Sequence, residues 1–336
     1  MSRHFRPSLA AAVAALAWSS AAVAGPVTLK IATLAPEGSA WMRALEGIKA
    51  EIAAATAGEV RLRLYPAGVM GEERDVLVKI KAGQLDGAGF LGNGIARICP
   101  EANALMLPMT FRDYAEVDAA LKELTPYLEE RSRANGYEAL GWTEVGFTHL
   151  FGNREVRSVE DLRRAKLWSL PNDPMLAELF QQAGISAIPV PVADVLTALQ
   201  TGLLDTVYSP PLAALAMQWA GRVKYLNALR LAYSFGGLFI ARSSWERLPT
   251  AHRDRLREIA RTRVADLTAE VRRGNEEALD VMARNGMIRV ESGPADLAAF
   301  EEISGRTRRA LRGRVVPPEA DDKVLEFLKR HRAGSP

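Results

Sequence analysis

A short stretch of the sequence occurs twice, and this repeat constrains the fold more than any other feature. Residues 75–90 read DVLVKIKAGQLDGAGF and residues 194–209 read DVLTALQTGLLDTVYS, with six of sixteen aligned positions identical. Each copy has the pattern of a helix with one apolar face, a Gly suited to end it, and a Leu-Asp entry into a strand. Such units look alike in many α/β proteins, but we interpret this pair as two similarly built lobes.

The rest of the chain alternates strand-like and helix-like segments. Val27 to Thr33 alternates as a strand does, and residues 40–55 repeat apolar side chains at helical spacing. Short strand-like runs then alternate with helices to about residue 240, as a parallel sheet with crossover helices requires. From about Pro249 to Ala283 the pattern is helical and long enough to span two lobes. We therefore predict an α/β fold.

Two lobes imply a cleft between them. Lobes of this class bind ligands at the carboxyl ends of their strands. The predicted strand ends follow Thr33, Phe90, Trp142, Trp168, Tyr208 and Tyr233. Residues near these positions are therefore candidates for ligand contact.

The N-terminal segment has the pattern of an export signal. Arg3, His4 and Arg6 precede an apolar run from Leu9 to Ala22, and Ala22-Val23-Ala24 supplies a small-x-small cleavage site. A retained membrane anchor is the alternative, but the run is shorter than the ~20 residues that span a bilayer. We predict cleavage after Ala24. Because Gly25 and not Cys follows, the mature chain has no thiol there for a lipid anchor.

The charge balance argues against a nucleic-acid partner. The full sequence has 43 Lys and Arg against 40 Asp and Glu, and removal of residues 1–24 takes away two Arg and no acid. The mature chain is therefore nearly neutral. The Arg-dense stretch at 252–284 also contains seven acids at spacings that allow pairs on a helix, so we interpret it as a solvated face.

The mature sequence lacks the common signatures of an enzyme, and we predict no catalytic activity, cofactor or metal. It has three His far apart and one Cys, and neither a nucleophile elbow nor a P-loop occurs. Residues 87–92 fit G-x-G-x-x-G, but they follow a predicted helix and lie in a strand, whereas a dinucleotide site needs the reverse order. Close approach of the backbone to another element explains these glycines better. Cys99 has the setting of a small buried hydrophobe.

Several runs, in order along the chain, resemble one family. They are LYPAGVMGEERDVLVKIKAGQLDGAGF, PEANALMLPMTFRDYAEV, SVEDLRRAKLW, ALQTGLLD with Pro210 after it, and LPTAHRDRLREIA. They are similar to the substrate-binding proteins of TRAP (tripartite ATP-independent periplasmic) transporters, the DctP-like family, over residues 27–331.

The resemblance implies a two-lobed periplasmic-binding-protein fold with a long lobe-spanning helix, which closes on a small organic ligand. Lobe 1 would comprise residues 25–145 plus about 236–275, and lobe 2 residues 146–235 plus about 276–336. The receptor itself would be periplasmic and would not span the membrane. It would deliver the ligand to one small and one large membrane subunit.

The family's usual carboxylate contacts are absent from this sequence. Most members bind carboxylates through an Arg after a motif that reads Leu162-Arg163-Arg164-Ala165-Lys166-Leu167 here, and that position is Trp168. A second Arg maps to Thr148, and a common Asn maps to Ser209. A Trp cannot replace a bidentate guanidinium. Either the ligand is not a simple carboxylate, or the charge has moved, with Arg97 and Arg154 as candidates.

The expected pocket positions are instead rich in aromatic residues, which favour a ring, an apolar body or a cation. The candidate ligand-binding residues are Trp168, Tyr208, Ser209, Trp142, Phe147, Thr148, Phe235, Asn93, Glu37 and Glu73. Trp142, Phe147 and Phe235 also fit a core role, and Glu73 or Glu72 also fits the capping of a helix.

Two other functions stay open from the sequence. A ligand sensor that docks a signalling partner would have the same pattern as a transport receptor. An exported hydrolase or lyase would use Glu144, His149 or Asp173, but these residues form no clustered signature.

Overall fold

The computed structural model describes residues 25–334 and has the predicted α/β class. The strands are β1 (Val27–Thr33), β2 (Val60–Tyr65), β3 (Gly87–Phe90), β4 (Tyr137–Gly152), β5 (Trp168–Ser169), β6 (Ile188–Pro189), β7 (Thr206–Ser209), β8 (Tyr225–Asn227), β9 (Ala232–Ala241) and β10 (Ile288–Val290). The export signal and its cleavage site lie outside the described residues.

The helices alternate with the strands through the first two thirds of the chain and then dominate it. They are α1 (Ala40–Ala55), α2 (Glu73–Lys81), α3 (Gly92–Ile98), α4 (Asn103–Met106), α5 (Tyr114–Ala134), α6 (Val159–Arg163), α7 (Pro174–Ala183), α8 (Val195–Thr201), α9 (Pro211–Ala216), α10 (Arg242–Glu246), α11 (Thr250–Arg284), α12 (Pro294–Leu311) and α13 (Pro318–Gly334).

The sheet is mixed, which corrects the expectation of a parallel sheet. Its order is β10-β8-β4-β9-β3-β1-β2, and the eighth strand, β7, also pairs with β4. β1 pairs in parallel with β2 and β3, as expected. β9, however, runs antiparallel to both β3 and β4. β4 and β9 carry the chain between the lobes in opposite directions, so they must pair antiparallel.

The two copies of the sequence repeat occupy equivalent places, which confirms the interpretation of similarly built lobes. β3 lies between β1, which is parallel to it, and the antiparallel β9. β7 likewise lies beside the antiparallel β4 and forms a parallel bridge between Thr206 and Leu167, the residue before β5. The Gly of each copy has a positive φ, +71° at Gly83 and +72° at Gly202, which ends the preceding helix.

The repeated Asp has the same task in each lobe. Oδ2 of Asp86 accepts from the backbone N–H of Lys30 in β1 at 2.8 Å, and Oδ1 of Asp205 accepts from that of Lys166 at 2.8 Å. Each carboxylate also pairs with one Arg, Arg247 in the first lobe and Arg154 in the second. The repeated Asp therefore links its own strand to the neighbouring parallel segment by a hydrogen bond from side chain to backbone.

The 35-residue helix α11 crosses both lobes, as predicted. Its N-terminal half packs on α1 in the first lobe, and its C-terminal half packs on α9 in the second. α13, which the sequence assigns to lobe 2, instead packs on α4 and α5 in the core of lobe 1. The chain thus returns to lobe 1 at its end because the apolar face of α13 covers that core.

The structure agrees with the interpretations of the glycine-rich residues 87–92 and of Cys99. A Cβ on Gly87 would lie 2.3 Å from the carbonyl oxygen of Phe239, so the G-x-G-x-x-G match reflects close strand approach. Cys99 is fully buried, and burial raises the pKa of its thiol to about 12. At this pKa the thiol stays protonated and is a poor nucleophile.

Candidate functional site

The predicted cleft lies where the strand ends of the two lobes approach each other. Phe90, the last residue of β3, is in register with Gly237 of β9, which is in register with Trp142 of β4. Trp142 is therefore level with the lobe 1 strand end. Met175, at the start of α7 in lobe 2, packs against the same lobe 1 cluster as Trp142. These contacts bring the two lobes together at this level.

Trp168 lies in the core of lobe 2. Its side chain is 5% exposed, stacks on Tyr208 with ring centroids 4.7 Å apart, and meets Trp219 edge to face at 5.2 Å. The indole Nε1–H donates to the carbonyl oxygen of Val190 at 2.8 Å. Because its only polar group is hydrogen-bonded within the lobe, Trp168 has a fixed orientation and packs against the ring of Tyr208.

Tyr208, Ser209 and Thr148 surround the end of β7. The Tyr208 hydroxyl accepts from the backbone N–H of Leu170 at 3.3 Å, and burial raises the pKa of this phenol well above its ordinary value. Ser209 lies opposite His149 in the β4–β7 pairing, and its Oγ donates to the carbonyl of Pro210 at 3.0 Å. Thr148 shares a hydrogen bond with Ser234 at 3.4 Å. The group is polar but carries no charge.

Trp142 has an unpaired polar atom. Its ring meets Phe235 and Phe239 edge to face at 5.7 and 5.2 Å, while its buried Nε1–H has no hydrogen-bond partner. A buried donor without an acceptor costs about 1–3 kcal/mol, so native structures rarely keep one without a reason. Of the two candidate Trp residues, Trp142 is the one whose indole N–H has no acceptor within residues 25–334.

Phe147 and Phe235 lie in the lobe 1 core. They are 2% and 1% exposed, and both pack on the ring of Tyr233. Their burial fits the core role that the sequence also allowed. Ligand contact by these two rings stays a prediction.

Glu73 holds the loop between β3 and α3. Its buried carboxylate accepts from the backbone N–H groups of Leu91 and Gly94, which bracket Asn93. Burial raises the pKa of Glu73 to about 6. The structure thus favours the capping role of Glu73, which in turn fixes the position of the half-buried Asn93. Glu37 is exposed in the loop between β1 and α1.

The residues of the enzyme alternative are apart and each has a structural partner. Glu144 accepts from Arg272 at 2.7 Å and from Tyr233 at 3.2 Å. The Nδ1 of His149 is 3.2 Å from the carbonyl of Asn227, and Asp173 caps α7 by accepting from Met175 and Leu176. No group of three potential metal ligands lies together within residues 25–334.

Both candidates for a relocated anchoring Arg have exposed side chains. Arg154 is paired with Asp205 and donates to the carbonyl of Arg164, and Arg97 is exposed on α3. Sequence reasoning missed Met70, Met106 and Met175, which, like Trp142, are partly buried and pack against the lobe 1 core. Their only signal was apolar character near predicted strand ends, because flexible Met side chains have no diagnostic spacing.

Two lobes of mixed sheet and helix, joined by β4, β9 and α11 around an interlobe cleft, define the class of solute-binding receptors that close on a ligand. Residues 31–310 match the family model DctP, bacterial extracellular solute-binding protein, family 7. The chain belongs to this family. Its members are binding proteins and not enzymes.

Named relatives and solved structures agree with this assignment. A solute-binding protein of Roseobacter denitrificans is 26% identical over 74% of this chain and 77% of its own length. The 2,3-diketo-L-gulonate-binding periplasmic protein YiaO of Escherichia coli is 25% identical over 79% of this chain and 81% of its own. The sugar acid binding protein DctPAm of Advenella mimigardefordensis, solved with galactonate, has a TM-score of 0.82 at 19% identity, covering 91% of this chain and 99% of its own.

None of the helices within residues 25–334 combines the length and the apolar character needed to cross a membrane.

Proposed function

We propose that this protein captures a small organic solute in the periplasm, in the cleft between its lobes, and delivers it to the small and large membrane subunits of a TRAP-type transporter. Support comes from the family match, the two equivalent lobes, and the packing of Met175 from lobe 2 against the lobe 1 cluster that Trp142 also contacts. The predicted export signal supports the location.

The solute that this cleft favours has an aromatic or apolar body and at least one hydrogen-bond acceptor. The observation that carries this proposal is the buried Nε1–H of Trp142, which has no partner within residues 25–334; three Met side chains pack against the same lobe 1 core. An acceptor on the solute would satisfy that donor, and the Met and aromatic side chains would contact the body. The uncharged Thr148, Trp168 and Ser209 at the family's anchoring positions disfavour a solute held mainly through a carboxylate.

A solute panel tests this proposal. The mature chain is titrated in thermal-shift and calorimetric experiments with sugar acids such as galactonate, with aromatic carboxylates, and with neutral aromatic solutes. We expect saturable, one-site binding in the aromatic arms, with no product formed on prolonged incubation. Binding at a hundredfold excess over Kd stabilises the folded chain by about 2.7 kcal/mol. Saturable binding of galactonate alone would overturn the solute class but leave the receptor function intact.

Trp142→Phe and Trp168→Phe form a matched pair for the donor. Both keep an aromatic ring and lose one indole N–H. Since one net hydrogen bond contributes about 1 kcal/mol, we expect Trp142→Phe to weaken solute binding about fivefold and Trp168→Phe to leave it nearly unchanged. The opposite order would show that Trp168 contacts the solute.

The sensor alternative makes a different prediction about the partner. A receptor for transport restores solute uptake when reconstituted with its membrane subunits in vesicles under an ion gradient. Ligand-dependent binding to a signalling protein without uptake would favour the sensor.

A further inference from the structure

A cavity of about 670 Å³ opens between the lobes, away from the predicted cleft. Lobe 1 contributes the loop at residues 108–112 and the face of α13 that bears Arg332, and lobe 2 contributes the loop at 228–230, β10 and α12. This volume is in the range of small-molecule sites, about 300–1,000 Å³.

The cavity is distinct from the solute cleft. None of the ten residues predicted to contact the solute lines it. Of the residues in β4, His149 lines the cavity, whereas the neighbouring candidates Phe147 and Thr148 do not.

The walls of the cavity are strongly cationic. Arg112, Arg230, Arg289, Arg308 and Arg332 line it, against a single acid, Glu301. Two of these Arg are already neutralised by neighbours outside the lining set. Arg308 pairs with Asp321, and Arg332 pairs with Glu116 at 2.7 Å.

The charges of the other three Arg are less fully compensated, although the Glu116 carboxylate that pairs with Arg332 also interacts with the charge of Arg112 and accepts from its backbone N–H at 2.8 Å. Arg112 and Arg230 form no salt bridge with any residue between 25 and 334, and Arg289 has only an exposed contact with Glu291 at 3.5 Å. Arg230 is held in place, because it donates to the carbonyl of Arg112 at 2.9 Å and its guanidinium lies 5.0 Å from the ring centre of Phe147. Burial is the main cause that lowers the pKa of His149, and the positive charges of Arg230 and Arg289 lower it further.

We propose that this cavity is a second binding site, for a compact anion with two or more negative charges on carboxylate or phosphate groups. Guanidinium groups bind both kinds of oxyanion through paired, charge-assisted hydrogen bonds. Because Arg112 belongs to lobe 1 whereas Arg230 and Arg289 belong to lobe 2, a bound anion bridges the lobes.

The test titrates the mature chain with citrate in one arm and pyrophosphate in the other, at constant ionic strength, with NaCl as the reference. We expect a saturable rise in Tm and a one-site calorimetric isotherm in at least one arm. Tighter binding of citrate would identify carboxylate as the preferred group, and tighter binding of pyrophosphate would identify phosphate. A rise in Tm that NaCl reproduces at equal ionic strength would overturn the proposal.

Two variants and a control locate the anion. Arg112→Gln and Arg289→Gln each remove one charge from an exposed side chain, and each should weaken anion binding about tenfold or more. Arg97→Gln removes an exposed Arg elsewhere and should leave it unchanged. Equal weakening in all three variants would show a general charge effect and overturn the site. Neither cavity variant should alter solute binding, so failure here is distinguishable from failure of the receptor function.

Discussion

At the scale of residues, two Trp side chains with similar sequence settings have different tasks. Both follow strand-like runs, and both were candidates for the cleft. In the folded chain, the carbonyl of Val190 accepts from the indole N–H of Trp168, whereas no residue between 25 and 334 accepts from that of Trp142. The partner of a side-chain donor depends on residues distant in sequence, so only the tertiary structure separates these two positions.

Trp168→Phe should destabilise the protein by about 2 kcal/mol. The change leaves the carbonyl of Val190 without its indole donor and opens space beside Trp219. Trp142→Phe is the control, because it removes a donor that has no partner in the described part of the chain. Urea unfolding of the solute-free chain measures both. A greater loss of stability in Trp142→Phe would contradict the core assignment of Trp168.

His149 should make the protein less stable in mild acid. Burial is the main cause that lowers its pKa from 6.5 to about 4, so the folded state keeps the ring neutral while the unfolded chain takes up a proton. Its contribution is therefore present above pH 6.5 and is lost as the pH falls toward 4. The loss between pH 7 and pH 5 is about 2 kcal/mol.

The comparison of wild type with His149→Gln isolates this effect from other titrating groups. Glu73, whose pKa is raised to about 6, acts in the opposite direction, because its protonation below pH 6 favours the folded state. The variant should therefore lose less stability between pH 7 and pH 5 than the wild type does. Identical pH profiles would show that His149 titrates normally in the folded protein.

At the scale of elements, the repeated helix–Gly–strand unit is a structural device that each lobe uses once. Its Asp joins the new strand to the preceding parallel strand through a backbone N–H, at 2.8 Å in both lobes. The repeat could be found in the sequence because the unit is local. The strand to which each Asp bonds could not be found in this way, because Lys30 precedes Asp86 by 56 residues and Lys166 precedes Asp205 by 39.

Asp86→Ala and Asp205→Ala should each destabilise the chain by about 1–3 kcal/mol, since each leaves a backbone N–H and an Arg without their acceptor. The loss should be larger at Asp86, which is buried and also accepts from Ser244. Asp194→Ala is the matched control, because Asp194 is shared by the repeat but is exposed and caps nothing. Urea unfolding that ranks Asp194→Ala with the other two would contradict this role.

At the scale of the whole molecule, β4, β9, α11 and the connection from α12 to α13 join the lobes, and β4 contains a distortion suited to a hinge. β4 has a register shift between Glu144 and Gly146 in its pairing with β9. Gly146 has φ +117°, and a Cβ there would lie 2.4 Å from Nδ2 of Asn275 on α11. Only Gly fits this position. The bulge and α11 thus meet where the lobes join.

A bound solute should bring the lobes closer together. If the cleft closes about the bulge in β4, small-angle scattering should show a smaller radius of gyration with saturating solute from the panel. Trp142 should report the same event as a change in fluorescence, which Trp142→Phe should reduce. An unchanged radius of gyration at saturation would mean that the solute binds without hinge closure.

The sequence by itself determined the α/β class, the paired units, the long helix and the family, because these depend on local periodicity and on motifs that are contiguous in the chain. It did not determine the mixed strand order, the return of α13 to lobe 1, or the roles of the two Trp residues. Nor did it indicate that Arg112, Arg230 and Arg289 meet around one cavity. Those features arise from contacts between residues far apart in sequence, and only the folded chain brings such residues together.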